Sequence, residues 1–473
     1  MASIRRLTRH SLMICQPRRY VPHAAILFRI SLLLVTNLFI QAAVFSQPRL
    51  PQIKFSDRTL ANGLRLISAP DHSSPTVAIQ VWYHVGSKDD PNQRSGFAHL
   101  FEHMMFKSTR NMKSEMMDRL TEDVGGSNGA STNDDVTIYN EVVPSNYLET
   151  LIWAEADRLA GLNVDEANFK SERDVVKEEY REGVLTPPYG RFDFLLQQKS
   201  FLQHPYKRPT IGSIEDLDAA SLRDVQEFHA TYYRPDNATL IVVGDFDQKQ
   251  LDSWVDKYFG PIEKPNRPIP RVQIKEPSRN SEIRAVEHGI NELPAVGLTY
   301  LTPGLAHPDT DALEVVAAIL GGGESSRLYR ALVYEQQLAA DVGASADSRE
   351  DASLFEITAV LSEGKKPEDL ERSLLAEIRK LQDQPVSQLE LDRAKNQLIT
   401  NLFRERETSE GTAQVLGEAA VLLGHPEQAN FDLARTQAVT VADVQRVMKK
   451  YFAGSNRLVL YYLPEASKPS EAR

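Results

Sequence analysis

A segment near the middle of the chain has a counterpart near its end, and this internal repeat most constrains the fold. Residues 223–247 and residues 442–464 each read as a helix that ends in an aromatic pair, then a turn, then an apolar strand. The apolar stretches 76–84 and 294–301 correspond to each other as well. These repeated helix and strand segments predict two tandem homologous domains of the α+β class.

A proline-rich polar segment separates the two halves. It begins Glu-Lys-Pro-Asn-Arg-Pro-Ile-Pro-Arg at residues 263–271, and no helix or strand tolerates this density of proline in its centre. We predict a first domain over residues 50–262, a linker over residues 263–280 and a second domain over residues 281–467. Each domain then has about 200 residues, a usual size, and a chain that is 41% hydrophobic can bury two or more cores.

The first half carries a metal-ligand pattern within about one helical turn. His99 and His103 are four residues apart, so they project from the same face of an α-helix, and Glu102 lies on that face too. Two neutral imidazoles are good zinc donors, and a nearby carboxylate can take a proton from a zinc-bound water. The pattern is the inverted zincin motif, His-x-x-Glu-His. It would arise by chance in roughly one or two of a hundred such chains, so a third ligand is needed.

A charged helical stretch about 75 residues downstream offers that ligand. Glu172 and Glu179 are seven residues apart, about two helical turns, so their side chains point the same way. Glu179 could reach the metal while Glu172 accepts a hydrogen bond from a ligating imidazole and fixes its tautomer. Glu178, about 100° away around the helix, is an alternative ligand. Without the upstream motif, this stretch would be interpreted as an ordinary solvated helix.

These two motifs together resemble the metal site of the pitrilysin and mitochondrial processing peptidase family of zinc endopeptidases. The matching residues read His-Leu-Phe-Glu-His at 99–103 and Glu-Arg-x5-Glu at 172–179. The resemblance extends through residues 96–109 and 232–245 and covers nearly all of the chain after about residue 50. The family members that this chain resembles are two-domain bacterial proteins similar to processing peptidases. In the family, the two domains contain antiparallel-rich sheets with packed helices and face each other as a clam shell.

The resemblance also implies the role of each residue at the metal site. One zinc ion per chain would be bound by His99, His103 and Glu179. Glu102 would be the general base, and Glu172 would support a ligating imidazole. The implied reaction is metal-assisted hydrolysis of a peptide bond.

Members of this family hold the substrate by backbone hydrogen bonds along an edge strand of the catalytic domain. The matching residues here are Gly129, Ala130, Ser131 and Thr132. The family commonly has an Asn-Ala pair in this strand, whereas this chain has Gly129-Ala130, with Asn128 one place earlier. A cluster of Gly and Asn would otherwise indicate a turn.

The second half departs from family members that work alone. Those members carry an Arg and a Tyr, seven residues apart after a Gly-rich loop, that stabilise the tetrahedral intermediate. Here the loop is residues 321–329, and Val333 and Ala340 fall at the two positions, on what we predict to be one helix. Neither side chain can donate a hydrogen bond, and losing such a donor typically costs roughly 100- to 1000-fold in rate.

We therefore expect a two-component peptidase, in which a homologous partner subunit supplies the Arg/Tyr pair. One alternative is slow cleavage by this chain alone. The other alternative is that a different side chain of the same region takes the role of the Arg/Tyr pair, namely Arg327, Tyr329 or Tyr334.

The function predicted from the sequence is zinc-dependent cleavage of peptides or unfolded protein segments. A net charge of −11 gives no reason to expect a nucleic-acid partner. The alternative is a non-catalytic structural or binding subunit, as in the respiratory-complex core proteins related to this family. Those relatives tend to lose metal ligands, whereas this chain keeps three ligands and the base, which favours the enzyme.

The first 46 residues differ from the rest of the chain. Six arginines precede an apolar run at residues 30–44, and no acidic residue occurs before Asp57. A cleavage site with small residues, after Ser46, follows the apolar run. This pattern predicts a secretory signal peptide and export to the periplasm. The alternatives are an uncleaved membrane anchor and a mitochondrial presequence. The only cysteine, Cys15, lies in this leader, so the predicted mature chain has no thiol.

Overall fold

Two β-sheets organise residues 50–465, the part of the chain that the computed structural model describes. The strands are β1 Ser56–Thr59, β2 Arg65–Pro70, β3 Thr76–Tyr83, β4 Ser127–Thr132, β5 Thr137–Pro144, β6 Ala238–Gly244, β7 Ile283–Gly289, β8 Ala295–Pro303, β9 Ala339–Asp347, β10 Ala352–Leu361 and β11 Arg457–Pro464. The first sheet has the order β1-β2-β6-β3-β5-β4, and the second has the order β7-β11-β8-β10-β9. The predicted signal peptide, its two alternatives and Cys15 lie outside the described residues.

Helices pack on both sheets. In chain order they are α1 Phe97–Met104, α2 Met116–Glu122, α3 Leu148–Gly161, α4 Glu166–Tyr180, α5 Gly190–Ser200, α6 Ile214–Ala219, α7 Leu222–Tyr232, α8 Gln248–Tyr258, α9 Thr310–Gly321, α10 Pro367–Asp383, α11 Gln388–Glu405, α12 Ser409–Val421, α13 Asp432–Ala438 and α14 Val441–Tyr451. Among residues 50–465, no helix is both long enough and apolar enough to cross a bilayer.

Apart from β1, an extra edge strand of the first sheet, the two sheets share one topology. In the first, β2 runs parallel to β6 and the other neighbours are antiparallel. In the second, β7 runs parallel to β11 and the other neighbours are antiparallel. The repeated sequence segments form α7 with β6 and α14 with β11. The predicted α+β class, with two tandem halves of the same design, is confirmed.

Both repeated helices also begin in the same way. Ser221 and Asp224 form a capping box at the start of α7, and Thr440 and Asp443 form one at the start of α14. In each box the two side chains accept hydrogen bonds from backbone amides that the helix itself leaves unpaired. The same local chemistry therefore starts the same helix in each half.

One face of the first sheet supports the helices that carry the predicted metal ligands. Its apolar side chains pack in one buried cluster with Leu100 and Phe101 of α1 and with Phe169 and Val176 of α4. Apolar residues recur on these helices at intervals of three or four, so each helix buries one side. This burial fixes the directions in which the remaining side chains of α1 and α4 project.

The other face of each sheet is covered by a helix from the other half. Helix α12 packs its apolar side on the first sheet around Trp82, with Leu416 among the buried contacts. Helix α5 packs Phe192 and Leu196 on the second sheet. Each sheet would otherwise expose an apolar face, so this exchange joins the halves. Residues 259–282, which include the predicted linker, contain no helix or strand. The exact domain boundaries stay a prediction.

Candidate metal centre

Helix α1 begins at a firmly held point. Gly96, immediately before it, has φ 90°, a left-handed conformation that glycine adopts without strain. The Asp90 carboxylate accepts hydrogen bonds from the backbone N–H groups of Gly96 at 2.7 Å and Ala98 at 2.9 Å. These bonds satisfy amides of the first helical turn, which have no partner within the helix. Burial raises the pKa of Asp90 to about 7.

The three predicted zinc ligands lie together. His103 Nε2 is 3.2 Å from Glu179 Oε2, and His99 Nε2 is 3.7 Å from the same oxygen. Ligand atoms around a tetrahedral zinc with bonds of about 2.0–2.1 Å are roughly 3.3–3.5 Å apart. The two distances to Glu179, which join α1 to α4, are close to these values, and all three ligand atoms lie within 4.8 Å of one another. Their identities also fit, since two imidazoles and one carboxylate form a known catalytic zinc set.

The charges of these groups suit metal binding. Burial lowers the pKa of His99 to about 4, so its imidazole is neutral at neutral pH and has a free lone pair. Burial acts in the same direction on His103, but its hydrogen bond with Glu179 and the nearby carboxylates outweigh it and raise the pKa of His103. That hydrogen bond lowers the pKa of Glu179. A divalent cation bound here would compete with the proton that His103 and Glu179 share.

Glu102 lies beside the cluster without belonging to it. The three ligand atoms come from His99, His103 and Glu179, and Glu102 Oε2 instead accepts a hydrogen bond of 2.6 Å from Thr132 Oγ1. Burial raises the pKa of Glu102, against the effects of Thr132 and His103. A carboxylate next to the ligands, with a raised pKa and no ligand role, is suited to move a proton.

The structure modifies the prediction for Glu172. Its Oε2 is 3.9 Å from His103 Nδ1, which is within ion-pair range but too long for the predicted hydrogen bond. Its other oxygen is bound by Lys107 Nζ at 2.8 Å and by Ser171 Oγ at 2.9 Å. Lys107 competes for this carboxylate, and the sequence analysis missed it. Glu178, the alternative ligand, is exposed and pairs with Arg181.

The predicted substrate-binding residues lie on an edge strand. Gly129, Ala130, Ser131 and Thr132 belong to β4, which pairs with β5 and ends the first sheet. Within the described residues no strand pairs with the outer edge of β4, so alternate backbone groups are free there. The side chain of Asn128, which the sequence places one position from the family's Asn, donates a hydrogen bond to Asp118.

Comparison with known proteins identifies the family of this chain. A sequence profile described as insulinase (peptidase family M16) matches residues 65–213, and one described as the peptidase M16 inactive domain matches residues 219–398. Zinc protease PqqE of Helicobacter pylori is 31% identical over 439 residues, which cover 92% of this chain and 97% of that protein. The chain belongs to the M16 peptidase family.

Other M16 relatives agree in sequence and in fold. A probable mitochondrial-processing peptidase subunit beta of Arabidopsis thaliana is 26% identical over 408 residues, which cover 83% of this chain and 75% of that protein. The crystal structure of a protease from Helicobacter pylori superposes with a TM-score of 0.83 at 30% identity, over 86% of this chain and 99% of that one. The predicted resemblance to pitrilysin and processing peptidases is confirmed.

The second half of this M16 chain differs from the prediction at one point. Val333 and Ala340 were expected on a single helix, but the short helical segment Tyr329–Glu335 contains only Val333, and Ala340 lies on strand β9. The expectation of one helix was wrong because the chain reverses between them. Gln337 has φ 51°, a left-handed conformation that a helix does not continue through. Val333 is half-buried and Ala340 is exposed.

A buried ionic cluster at the junction of the two halves was missed by the sequence analysis. Lys88 Nζ lies 2.8 Å from Asp135, 2.6 Å from Glu350 and 3.2 Å from Asp351. The three carboxylates resemble a metal site in their spacing, but the ammonium group of Lys88 already supplies the cation. Beside this cluster, Arg349 pairs with Asp134 at 2.6 Å. These contacts join the turn after β4 to the turn before β10, and no short-range sequence pattern predicts them.

Proposed function

We propose that this chain is a zinc-dependent endopeptidase that hydrolyses peptides or unfolded protein segments. The proposal rests mainly on the cluster of His99, His103 and Glu179, whose ligand atoms lie within 4.8 Å of one another with Glu102 beside them. The free edge of β4 adjoins this group through the contact between Thr132 and Glu102. Ligands, base and a strand edge that can hold a peptide are therefore adjacent.

The residues divide the reaction among them. His99, His103 and Glu179 would hold the zinc ion, which when bound supplies Lewis-acid activation of the scissile carbonyl and of a water molecule. Glu102 would take a proton from the attacking water as the water oxygen adds to the carbonyl carbon. Glu102 would then give this proton to the leaving amine nitrogen as the C–N bond breaks. Burial raises the pKa of Glu102, which makes this carboxylate a better proton acceptor for the first transfer.

The substrate would extend the first sheet. An extended peptide beside β4 would exchange backbone hydrogen bonds with the unpaired edge, and its side chains would alternate between the two faces. Gly129 and Ala130 have small or no side chains, so the peptide backbone can approach closely there. Ser131 and Thr132 continue the same edge toward Glu102. This mode requires an unfolded segment, because a folded protein rarely offers a free strand.

We also propose that a homologous partner subunit completes the site. Neither Val333 nor Ala340 can stabilise an oxyanion, and their separation by the end of a helix does not change this. Among the three proposed substitutes, Arg327 is held by Glu390 through two hydrogen bonds of 2.7 and 2.8 Å. A guanidinium bound in this way is neutralised and is poorly placed to serve a reacting carbonyl.

The leader supports a site of action outside the cytoplasm. The arginine-rich start and the apolar run at residues 30–44 have the composition of a secretory signal peptide. We propose export to the periplasm, with contact to the membrane only through this segment if it is not cleaved.

Zinc content and hydrolysis of a quenched peptide library test the function. The mature chain is assayed alone and with a homologous M16 protein that carries the Arg/Tyr pair, and Glu102→Gln is the control. We expect about one zinc per chain and activity that requires the mixture and is abolished by Glu102→Gln. Equal activity of the chain alone would overturn the two-component proposal. Absence of both zinc and activity would favour the structural-subunit alternative.

A further inference from the structure

We infer that Thr132 is a positioning residue for the reaction, because its hydroxyl fixes the carboxylate of the general base Glu102. The inference rests on the proposed function and assigns a new role to a residue that the sequence places only in the substrate strand. The contact that motivates it is the hydrogen bond of 2.6 Å from Thr132 Oγ1 to Glu102 Oε2.

The neighbouring hydroxyl determines the direction of this hydrogen bond. A threonine hydroxyl has one proton to donate. Thr137 Oγ1 lies 3.4 Å from Thr132 Oγ1 and donates its own proton to the backbone carbonyl of Val85 at 3.0 Å. The proton of Thr132 is therefore free to go to Glu102, whose ionised carboxylate can only accept. A short hydrogen bond to an ionised group is stronger than one between neutral groups.

Thr132 is itself held by a tight turn. It is the last residue of β4 and pairs with Thr137 across the hairpin. Between them, Asn133 N–H donates to the Val136 carbonyl at 3.0 Å. The Asn133 side-chain oxygen accepts from the backbone amides of Asp135 and Val136, each at 2.8 Å. The β-branched side chain of Thr132 also has few rotamers. The hydroxyl is thus a fixed reference point rather than a mobile surface group.

This contact has a consequence for the base. Oε2 of Glu102 is bound by Thr132, and within residues 50–465 no group donates a hydrogen bond to Oε1. Oε1 is therefore the oxygen left for a reacting water. Because Thr132 also belongs to the strand that would hold the peptide, base and substrate are positioned by the same element. Placement errors of about 1 Å can cost roughly 100-fold in rate, so this common support matters.

The competing role for the Thr132 side chain is direct substrate binding. Side chains alternate along a strand, so Asn128, Ala130 and Thr132 share one face of β4. On that face Asn128 contacts Asp118 of α2 and Thr132 contacts Glu102 of α1. A peptide that adds to the edge lies in the plane of the sheet and meets the backbone of β4. Loss of the hydroxyl should therefore lower kcat and leave KM nearly unchanged.

The test compares Thr132→Val, which keeps the side-chain shape but loses the hydroxyl, with Thr132→Ser, which keeps the hydroxyl. Thr59→Val is the matched control, since Thr59 is an exposed strand threonine at the opposite edge of the same sheet. All are assayed with the complementing subunit under conditions where the wild type is active. We expect Thr132→Val to lower kcat about 10- to 100-fold at unchanged zinc content, and Thr132→Ser to recover most of it.

A crystal structure of the metal-free Thr132→Val protein supplies a readout that does not depend on activity. We expect the Glu102 carboxylate to leave its wild-type rotamer, and to keep it in Thr132→Ser. An unchanged rotamer, an unchanged kcat, or a rise in KM alone would overturn the inference. An inactive wild type would instead count against the proposed function, and the rotamer comparison would still test the role of Thr132.

Discussion

Replacing Lys88 by Met should destabilise the protein strongly, because it removes the cation from the buried cluster that joins the two halves. The side chains of Lys88 and Asp135 are only 6% and 5% exposed, with a separation of 2.8 Å. Burial alone would lower the pKa of Lys88, but Asp135 and Glu350 outweigh it and raise this pKa. Met preserves most of the length and apolar surface of the lysine stem, so the loss is mainly one of charge.

The expected loss of unfolding free energy follows from how exposed the carboxylates around Lys88 are. Removing one partner of a buried ion pair costs about 3–5 kcal/mol, because a charge is left buried and unpaired. Glu350 and Asp351 are 27% and 39% exposed, so water can solvate them, and each adds at most about 1 kcal/mol. Asp135 keeps hydrogen bonds from Tyr206 and from the Glu350 amide. Because these bonds still stabilise the Asp135 carboxylate, we expect a loss of unfolding free energy near the lower end of this range, about 3 kcal/mol.

Thermal and urea unfolding of a double-mutant cycle measure this loss. The cycle comprises Lys88→Met, Asp135→Asn and their combination, and the combination should cost less than the sum because neither charge is then left alone. Lys170→Met is the matched control, since Lys170 forms an exposed pair with Glu166 on one helix and should cost about 0.5 kcal/mol or less. If Lys88→Met lowers the free energy of unfolding no more than Lys170→Met does, the charge of Lys88 does not stabilise the buried cluster.

Three further predictions concern packing, pH and the metal. Gly417→Ala should destabilise by about 1–3 kcal/mol in thermal unfolding, although Ala normally favours a helix, because its Cβ would lie 2.2 Å from Trp82; Gly343→Ala, with open space around it, is the control. Burial and neighbouring carboxylates raise the pKa of Glu418 from 4.5 to about 7. Between these two pKa values the folded state binds more protons than the unfolded state, so the free energy of unfolding falls as pH rises. Glu418→Gln should reduce this fall, measured by urea unfolding at about pH 4.5 and about pH 7.5. Glu172→Gln should weaken zinc binding about 10-fold in a chelator competition, and unchanged affinity would contradict its supporting role.

The parts of the molecule that the sequence predicts well depend on short-range patterns. The i, i+4 histidines and the seven-residue interval of the glutamates place the ligands on single helical faces. Burial of Phe101 and Val176 in one core then brings these faces together. The tandem fold follows from the repeated helix–turn–strand segments, since similar sequences bury similar faces.

The parts that the sequence does not predict depend on contacts between distant residues or on single backbone conformations. Gln337 ends the helix before Ala340 through a left-handed conformation for which glutamine has no preference. The local sequence around Lys88 is typical of a surface lysine, because its partner Glu350 lies far away in the chain. The hydrogen bond from Thr132 to Glu102 likewise depends on how the β4–β5 hairpin meets α1.

A crystal structure of the purified protein, with anomalous diffraction measured at the zinc absorption edge, would test the proposed zinc site directly. We expect a single strong peak within bonding distance, about 2.0–2.2 Å, of His99 Nε2, His103 Nε2 and a Glu179 oxygen, with Glu102 outside the coordination sphere. If crystals grown with excess zinc show no peak at these residues, or if Glu102 coordinates the zinc in place of Glu179, the proposed metal site is wrong.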